Sequence, residues 1–507
     1  MTSGTGSARG LPARPEEAVA GMLGIVRTGL RAGSLSLLSE SEVERIHEGA
    51  LQVLARTGVV IHNDPTLSLL EEAGCRVWRE ERRVCIPPPV VEQALAHAPD
   101  LVYLYTRRGE RAMALGAGPL HVRTSSGATG FLDLDTAQWR EPTSQDAADA
   151  TRLADALPHI HGVSTMAVQP ADVPLAAIDL HTVRIALANT TKPLGYVCLN
   201  PSLIEAVLAM LAAAVGGERA LFQRPIITAL AESTSPLQLA TSQISVLQAF
   251  AGRGLPLTLH AHPMAGLTAP VTLCGELVVT HAEILAMVTT CQVIRPGTPV
   301  IYGMSSSVPD MRTGRNLSGA IEIGLLGAAV SRLAKRCGLP CLMSSGTDAH
   351  APGAQSVMER LVTLLLPALS GIDLVNLTTL DTKMSFSLEQ LVLDATLLRM
   401  VGRCLQGIAV DDGALALNLI HEVGPGGAFI ATDHTLGLFR EELMVPDLVD
   451  RWDRASWQAA GRPDMCARAR EKGRRILADH QPVPLAEDVV VRLDEIVAEA
   501  EARATNP

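Results

Sequence analysis

The sequence has few aromatic residues and no excess of positive charge. Its 507 residues include only four Trp, four Tyr and six Phe, and the formal net charge is −11. An acidic chain with scattered lysines and arginines argues against a nucleic-acid-binding protein. So few aromatic side chains also argue against a full aromatic cage around a cationic ligand, so charge and shape would have to hold such a ligand.

Cysteine pairs and a signal sequence are also missing. The nine cysteines include no CxxC pair and follow no regular spacing, which argues against a zinc ribbon and a disulfide framework. Reduced thiols are typical of a cytoplasmic protein, which we expect here. The first thirty or so residues lack the apolar core of a signal peptide, so residues 1–34 are predicted to be a flexible tail.

Long apolar runs are absent as well. No stretch of eighteen or more residues is purely apolar, and the best candidate, Val271–Thr290, contains Glu276, His281 and Glu283. Ionisable groups within such a stretch predict a packed helix of a soluble protein and no membrane association. The chain is 47% hydrophobic, which is enough to form a large core.

A repeating order of elements begins at about residue 143. Five prolines each follow an apolar helical stretch and precede a short β-branched run that leads into a polar loop, and three similar runs lack the proline. The prolines are Pro193, Pro225, Pro256, Pro299 and Pro340. This alternation favours a parallel α/β fold, and eight strands favour a closed (β/α)8 TIM barrel. The predicted strands are Gly162–Val168, Leu194–Leu199, Ile226–Glu232, Leu257–His262, Val300–Met304, Cys341–Gly346, Ile372–Leu377 and Ala428–Thr432.

The predicted barrel spans residues 143–446. An α+β extension is expected before it, at residues 35–142, and a C-terminal helical segment after it, at residues 447–507. The extension contains predicted helices and short strand-like runs. These runs are Leu101–Thr106, Leu120–Thr124 and Gly130–Leu134.

Polar and ionisable side chains follow six of the predicted strands at their carboxyl ends. In a (β/α)8 barrel these ends, and the loops after them, form the active site. Each residue alone also fits a structural role, as a hydrogen-bonding wall or a helix cap, but their convergence predicts a ligand pocket at one mouth. The predicted substrate-binding residues are Glu232, His260, His262, Tyr302, Asp348, His350 and His434. The sequence identifies no catalytic residue.

The pair His260 and His262 allows a second interpretation. Alternate residues of a strand face the same side, so an HxH pair at a strand end can bind one metal ion. With Asp348, the pair is similar to the zinc site of metal-dependent amidohydrolases. That family places its HxH on the first barrel strand, whereas here it lies on the fourth, so we expect no tightly bound metal and treat a hydrolase as the alternative.

Motifs around these loops resemble the trimethylamine methyltransferase (MttB-like) family. The most specific stretch is PMAGLTAPVTLCG at Pro263–Gly275, followed by His281–Glu283 and by RPGTPVIYG at Arg295–Gly303. The resemblance covers roughly residues 35 to 485. It implies a TIM barrel that moves a methyl group from a small methylated amine to the Co(I) of a corrinoid protein, so cobalamin arrives with that partner and no cofactor is bound tightly.

The chain contains no pyrrolysine, so it resembles the branch without that residue, in which glycine betaine and related quaternary amines are substrates. It departs from the family at three positions, Gly353, His350 and Thr396. These departures leave the substrate open and keep a non-catalytic barrel that binds methylated amines as a third hypothesis. The sequence also leaves the oligomeric state open, a homo-oligomer included.

The missing pyrrolysine fits the chemistry of a quaternary ammonium. Such a group already carries its positive charge, so a neutral tertiary amine leaves without a general acid, and the protein supplies position and electrostatics. The sequence offers Glu232 or Asp348 as counter-charge and Tyr302 or Tyr196 as a cation–π face. A substrate carboxylate would meet His350, His262 or Arg312.

Overall fold

The computed structural model describes residues 35–505, with side chains described as far as Ala502. The predicted tail at residues 1–34 lies outside the described residues. Eight parallel strands form a barrel at the centre, and each strand pairs with its neighbours in chain order. They are β1 (His121–Thr124), β2 (Val163–Ser164), β3 (Leu194–Val197), β4 (Ile227–Glu232), β5 (Leu257–Ala261), β6 (Val300–Met304), β7 (Cys341–Ser344) and β8 (Leu374–Leu377).

The barrel closes between β1 and β2. Arg123 and Gly162 form a parallel bridge, and the carbonyl of Val122 accepts hydrogen bonds from His161 and Gly162 at 2.7 and 3.1 Å. On its other side β1 pairs with β8 in parallel register, with His121 opposite Leu374. The predicted (β/α)8 barrel is therefore confirmed.

One predicted strand is wrong, and another takes its place. Residues Ala428–Thr432 form a turn before a helix, not the eighth barrel strand. The missing strand is β1, from the run Leu120–Thr124 that the sequence analysis assigned to the extension. Its pairing joins residues as far apart as Arg123 and Asn376, 253 positions along the chain, so no local pattern indicates it.

Eighteen α-helices are present in the described residues, and most of them surround the barrel. They are α1 (Glu40–Gln52), α2 (Asp64–Glu72), α3 (Pro88–His97), α4 (Ser144–Ala156), α5 (Ile178–Asn189), α6 (Ile204–Val215), α7 (Glu218–Gln223), α8 (Thr241–Ala251), α9 (Leu273–Ile294), α10 (Ile321–Arg336), α11 (Ala354–Ser370), α12 (Leu388–Gln406), α13 (Asp412–Leu415), α14 (Leu417–Val423), α15 (Asp433–Glu442), α16 (Arg454–Ala459), α17 (Met465–Asp479) and α18 (Glu487–Thr505).

Short strands outside the barrel build the extension and the loops at the mouth. They are Val59–Ile61, Arg76–Trp78, Arg83–Cys85, Val102–Tyr105, Arg111–Leu115, Gly130–Leu132, Trp139–Arg140, Gln238–Leu239, Val308–Pro309, Asn316–Leu317, Thr379–Leu380 and Ser385–Ser387. In the extension, Ser39 caps α1 and forms a capping box with Glu42. At the C-terminus, α17 packs on α12 and α4, while α18 packs on α6.

Helix α9 joins the extension to the barrel. It is long and apolar enough to span a membrane by length and composition, but 78% of its most apolar window is buried inside the structure. It packs against α1 and α3 on one side and against β5 on the other. Burial on both sides explains why apolar residues occur all round this helix, as the predicted packed helix requires.

Candidate active site

A cavity of about 270 Å³ opens at the carboxyl ends of the barrel strands. Its size suits a ligand smaller than a typical drug molecule. Besides Tyr196, its ionisable lining residues are Arg123, Glu232, His260, His262 and Lys383. Three of these, Glu232, His260 and His262, belong to the predicted set, and the structure brings them together in the predicted mouth.

Glu232, His260 and His262 form a branched cluster, which we call the cavity cluster. Strands β4 and β5 pair with Glu232 opposite His260, so their last side chains lie side by side. One oxygen of Glu232 lies 3.3 Å from His260 Nδ1 and 3.4 Å from His262 Nδ1. The side chain of Glu232 is 35% exposed and that of His262 is 31% exposed, so a ligand in the cavity can reach both.

Within the cavity cluster, Glu232 carries a negative charge at neutral pH. Burial alone raises the pKa of Glu232, but hydrogen bonds and charge from His260 and His262 outweigh it and hold the pKa well below its usual value. Burial lowers the pKa of His260, against the opposing influence of Glu232, so this ring is neutral at pH 7. Nε2 of His260 is buried and has no hydrogen-bond partner among the described residues.

Two cations also face the cavity, and neither was among the predicted substrate-binding residues. Arg123 donates to Asn376 Oδ1 at 3.1 Å and to Thr228 Oγ1 at 2.9 Å, and Lys383 donates to Ser305 Oγ. Burial lowers the pKa of Arg123 to about 10 and also lowers the pKa of Lys383. Within residues 35–502 neither cation lies within ion-pair distance of a carboxylate. The charge of Glu232 raises the pKa of Lys383 against the larger effect of burial, so both cations can still bind an anionic ligand group.

Local backbone features place these two cations. The guanidinium of Arg123 lies over Gly195 of β3, where an added Cβ would come within 2.5 Å of its Cζ, so only glycine leaves room for it. Lys383 ends a run of three left-handed residues, with φ values of 49° at Asp381, 52° at Thr382 and 76° at Lys383. Such a run of non-glycine residues is strained and is found mainly where function requires it.

Four predicted site residues do not line the cavity. Tyr302 is fully buried on the outer side of the barrel, where its hydroxyl lies 2.9 Å from His281 Nδ1 of α9. His350 is 67% exposed and pairs with Asp381 at 3.0 Å. His434 is exposed in the first turn of α15, because the strand predicted before it does not form.

Asp348, the fourth of these residues, supports a loop beside the mouth. Its carboxylate accepts hydrogen bonds from the backbone amides of Ser318 and Gly319 at 2.7 and 3.0 Å, and from Thr382 Oγ1 at 2.8 Å. With these contacts it holds the loop that carries Lys383 next to the loop after β6. It is therefore placed to position Lys383, and it does not line the cavity itself.

A buried arginine fixes the backbone of two further loops. Arg360 of α11 donates to the carbonyls of Ser345 and Thr379, which follow β7 and β8. Its guanidinium lies 3.5 Å from Asp394, and both side chains are at most 1% exposed. Since one side chain joins two strand ends, it stabilises the wall of the cavity.

The geometry does not assemble the metal site of the alternative hypothesis. Asp348 is fully engaged elsewhere, and the two imidazoles converge on Glu232. Among the described residues, ligand atoms are grouped closely enough for a metal at one place only, away from this mouth. His260, His262 and Asp348 therefore give no support to a metal-dependent hydrolase.

The family departures lie outside the cavity. No atom lies within 4 Å of the position where a Cβ of Gly353 would stand, so this position accepts a side chain without steric change. Thr396 lies in α12, where its hydroxyl is 3.4 Å from both the Val392 carbonyl and Asp447. The three departures, His350 included, leave the ionisable lining unchanged.

Signals for the missed residues were weak in the sequence. Arg123 is the one arginine within a short apolar strand run, and an isolated charge in such a run indicates a special contact. Lys383 follows the strand end Thr378–Thr379, but nothing in its neighbours shows that the loop turns back into the barrel.

Comparison with known proteins gives the family. The chain matches the model described as trimethylamine methyltransferase (MTTB) over residues 4–505. Trimethylamine methyltransferase MttB of Desulfitobacterium hafniense (strain DSM 10664 / DCB-2) is 32% identical over 469 residues, which cover 92% of this chain and 94% of that protein. Glycine betaine methyltransferase of Desulfitobacterium hafniense (strain Y51) is 29% identical over 467 residues, with 92% and 97% covered.

Among solved structures, the monomethylamine methyltransferase MtmB of Methanosarcina barkeri is 10% identical, with a TM-score of 0.46 over 87% of this chain and 93% of that chain. The family model matches nearly the whole length of the chain, which confirms the resemblance seen in the motifs. The chain belongs to the trimethylamine methyltransferase (MTTB) family.

Proposed function

We propose that this methyltransferase takes its methyl group from a small betaine, a quaternary ammonium that also carries a carboxylate, and that glycine betaine represents this class. The acceptor in the proposal is the Co(I) centre of a corrinoid protein. One observation carries the choice of substrate: the same cavity holds an anionic Glu232 and two cations, Arg123 and Lys383, that form no ion pair with a carboxylate among the described residues.

The charges of the cavity match a zwitterion. The carboxylate of Glu232 is exposed to the cavity and held ionised, so it offers a counter-charge to an ammonium that has no N–H donors of its own. A guanidinium and an ammonium bind a carboxylate through charge-assisted hydrogen bonds. A simple methylamine has no group that would neutralise Arg123, or Lys383, whose burial Glu232 offsets only in part, and burying such charges without an anion is costly.

The reaction needs no proton donor. The bond between nitrogen and the methyl carbon breaks with its electron pair staying on nitrogen, and the Co(I) electron pair forms the new bond to carbon. A neutral tertiary amine leaves, so the residues of the cavity position the substrate and exclude water. The absence of a pyrrolysine from the sequence is consistent with this chemistry.

Glu232 contributes mainly to binding of the substrate. The positive charge on nitrogen decreases as the methyl group departs, so an anion beside it stabilises the bound substrate more than the transition state. Removing that anion should therefore raise KM and leave kcat unchanged or slightly higher. Arg123 and Lys383 contact a substrate carboxylate whose charge does not change during the reaction. They therefore stabilise the bound substrate and the transition state equally.

The test compares ligands that differ in one group. Glycine betaine, tetramethylammonium and trimethylamine are each added to the purified protein, and thermal stability and methylation of reduced cobalamin are measured. Glycine betaine should raise Tm by mass action and support methylation, whereas the other two compounds should do neither at equal concentration. An equal response to tetramethylammonium would contradict a carboxylate subsite.

Variants locate the subsite. Lys383→Met should reduce the preference for glycine betaine over tetramethylammonium by about 10- to 100-fold, the worth of a charge-assisted contact. Arg312→Gln is the matched control, because its guanidinium is 89% exposed and, in the part of the chain that the structure describes, pairs with Asp310 alone. Binding of betaine without any methylation, even of a corrinoid protein, would favour a binding barrel without catalysis.

The proposal includes a cytoplasmic location. All nine cysteines are free and five of them are buried, as reduced thiols in a reducing compartment would be. A strongly reduced corrinoid acceptor is also consistent with such a compartment.

A further inference from the structure

A second group of ionisable residues lies at the junction between the extension and the barrel. His47 of α1, His281 of α9 and Cys337, which directly follows α10, place one ligand atom each within 4.8 Å of one another. Both imidazoles are fully buried, and Cys337 is 7% exposed. No step of the proposed methyl transfer uses these residues.

Each imidazole also has a partner on its other nitrogen. Nε2 of His47 lies 3.1 Å from Glu92 of α3, and Nδ1 of His281 lies 2.9 Å from the hydroxyl of Tyr302. The remaining nitrogens, Nδ1 of His47 and Nε2 of His281, face each other at 2.8 Å. We call Glu92, His47, His281 and Tyr302 the junction chain.

The junction chain has the outer partners that metal-binding histidines usually have. A carboxylate that accepts from Nε2–H of His47 fixes its tautomer and directs the Nδ1 lone pair inwards. If the hydroxyl of Tyr302 accepts from Nδ1–H of His281, the Nε2 lone pair also points inwards. Both lone pairs and the sulfur of Cys337 then converge on one point.

We propose that His47, His281 and Cys337 bind a single thiophilic d10 cation, Zn²⁺ or Cu⁺, which fastens the N-terminal extension to the barrel. Two imidazoles and a thiolate are the ligands that these ions prefer. The site is independent of the proposed methyl transfer, and it departs from the expectation of no bound metal at residues that the sequence did not predict as metal ligands.

Binding requires two small changes. Metal–nitrogen bonds of about 2.0–2.1 Å place two ligand nitrogens about 3.3 Å apart, so the rings must separate by roughly 0.5 Å. Cys337 must also lose its proton. Burial raises the pKa of this thiol to about 12, so at neutral pH the thiol is protonated without a metal and metal binding releases one proton.

Metal analysis of the whole purified chain tests the proposal. The protein is incubated with Zn²⁺, or with Cu⁺ under reducing conditions, dialysed, and analysed for metal per chain and for Tm. One of the two ions should remain at about one per chain and should raise Tm, since it binds the folded state. If dialysis removes both ions, the junction chain is a hydrogen-bonded network only and the proposal is wrong.

Two variants and a control assign the ion to its ligands. Cys337→Ser should lose the metal while keeping the fold, because the hydrogen bonds of the junction chain do not involve the thiol. His262→Gln, a change in the cavity cluster, should retain it. Metal retained by Cys337→Ser would overturn the assignment, and metal lost from His262→Gln would move the ion to the mouth. Co²⁺ loading adds a readout, since a thiolate-to-cobalt absorption band should be absent in Cys337→Ser.

Discussion

The cavity cluster and the junction chain each combine a glutamate with two histidines, but they arrange them differently. In the cavity cluster both rings converge on one oxygen of Glu232, and the group remains open to a ligand. In the junction chain the rings stand in series between Glu92 and Tyr302, and both are sealed from solvent. The branched arrangement leaves the ionised carboxylate of Glu232 beside the cavity, where a substrate can contact it. In the junction chain, by contrast, the side chains satisfy one another's hydrogen bonds.

The comparison shows that residue type alone does not mark a substrate site. Burial without access to a cavity makes a hydrogen-bonded histidine a structural element, because each lost bond leaves an unsatisfied polar group. Partial exposure beside a cavity leaves the same residue free to bind a ligand. Substitutions in the junction chain should therefore lower the stability of the fold more than they affect substrate binding, and substitutions in the cavity cluster should do the reverse.

The largest effect is expected in the junction chain. His281→Leu removes two hydrogen bonds and leaves His47 and Tyr302 each with an unsatisfied buried group, so the free energy of unfolding should fall by about 4 kcal/mol. His262→Leu, its counterpart in the cavity, should cost less than about 1 kcal/mol because the ring is 31% exposed. Urea unfolding of both variants with EDTA present measures the difference, and equal losses would remove the distinction.

Glu276 contrasts with Glu232 of the cavity cluster, because it is a buried carboxyl with no basic partner among the described residues. Burial raises its pKa to about 8, with only partial opposition from the Ser306 hydroxyl. The unfolded chain ionises near pH 4.5, so wild-type stability should fall as pH rises from there to about 8. Glu276→Gln should therefore stabilise the protein by about 3 kcal/mol at pH 8 and very little at pH 5. Urea midpoints at both pH values measure this, and a pH-independent gain would show that the charge is not the cause.

Charge in the cavity cluster should affect substrate binding more than stability. Glu232→Gln keeps the shape and removes the anion. The value of kcat/KM for glycine betaine should therefore fall by a factor that corresponds to about 2 kcal/mol, and the fall should come from a higher KM. Steady-state kinetics with a reduced corrinoid acceptor measures it. Glu205→Gln, which alters a 70% exposed carboxylate paired with Arg253, serves as control and should leave KM unchanged. A fall in kcat alone would contradict a binding role.

The smallest effect is expected at His434, which the sequence analysis placed in the substrate site. Because the residue is exposed on α15, His434→Ala should change neither KM nor the free energy of unfolding by more than about 0.5 kcal/mol. Kinetics and urea unfolding of this variant provide the check. A clear rise in KM would show that α15 reaches the mouth during catalysis.

Local sequence patterns indicated much of the fold and about half of the ionisable cavity lining. Local patterns marked seven of the eight barrel strands, five of them by a proline before a β-branched run, because a strand start and its alternation depend on neighbouring residues. The same reasoning found Glu232, His260 and His262, which end two consecutive strands. It failed at Ala428–Thr432, whose pattern resembles a strand although no barrel strand is available to pair with it.

The sequence by itself determined the family, the barrel and the position of the cavity cluster, because motifs and strand ends are properties of neighbouring residues. Only the tertiary structure decided which cations share the cavity and where the junction chain forms. Arg123 meets Asn376 across 253 residues, and His47 meets His281 across 234. Contacts over such distances depend on closure of the barrel and docking of the extension, which no local pattern encodes.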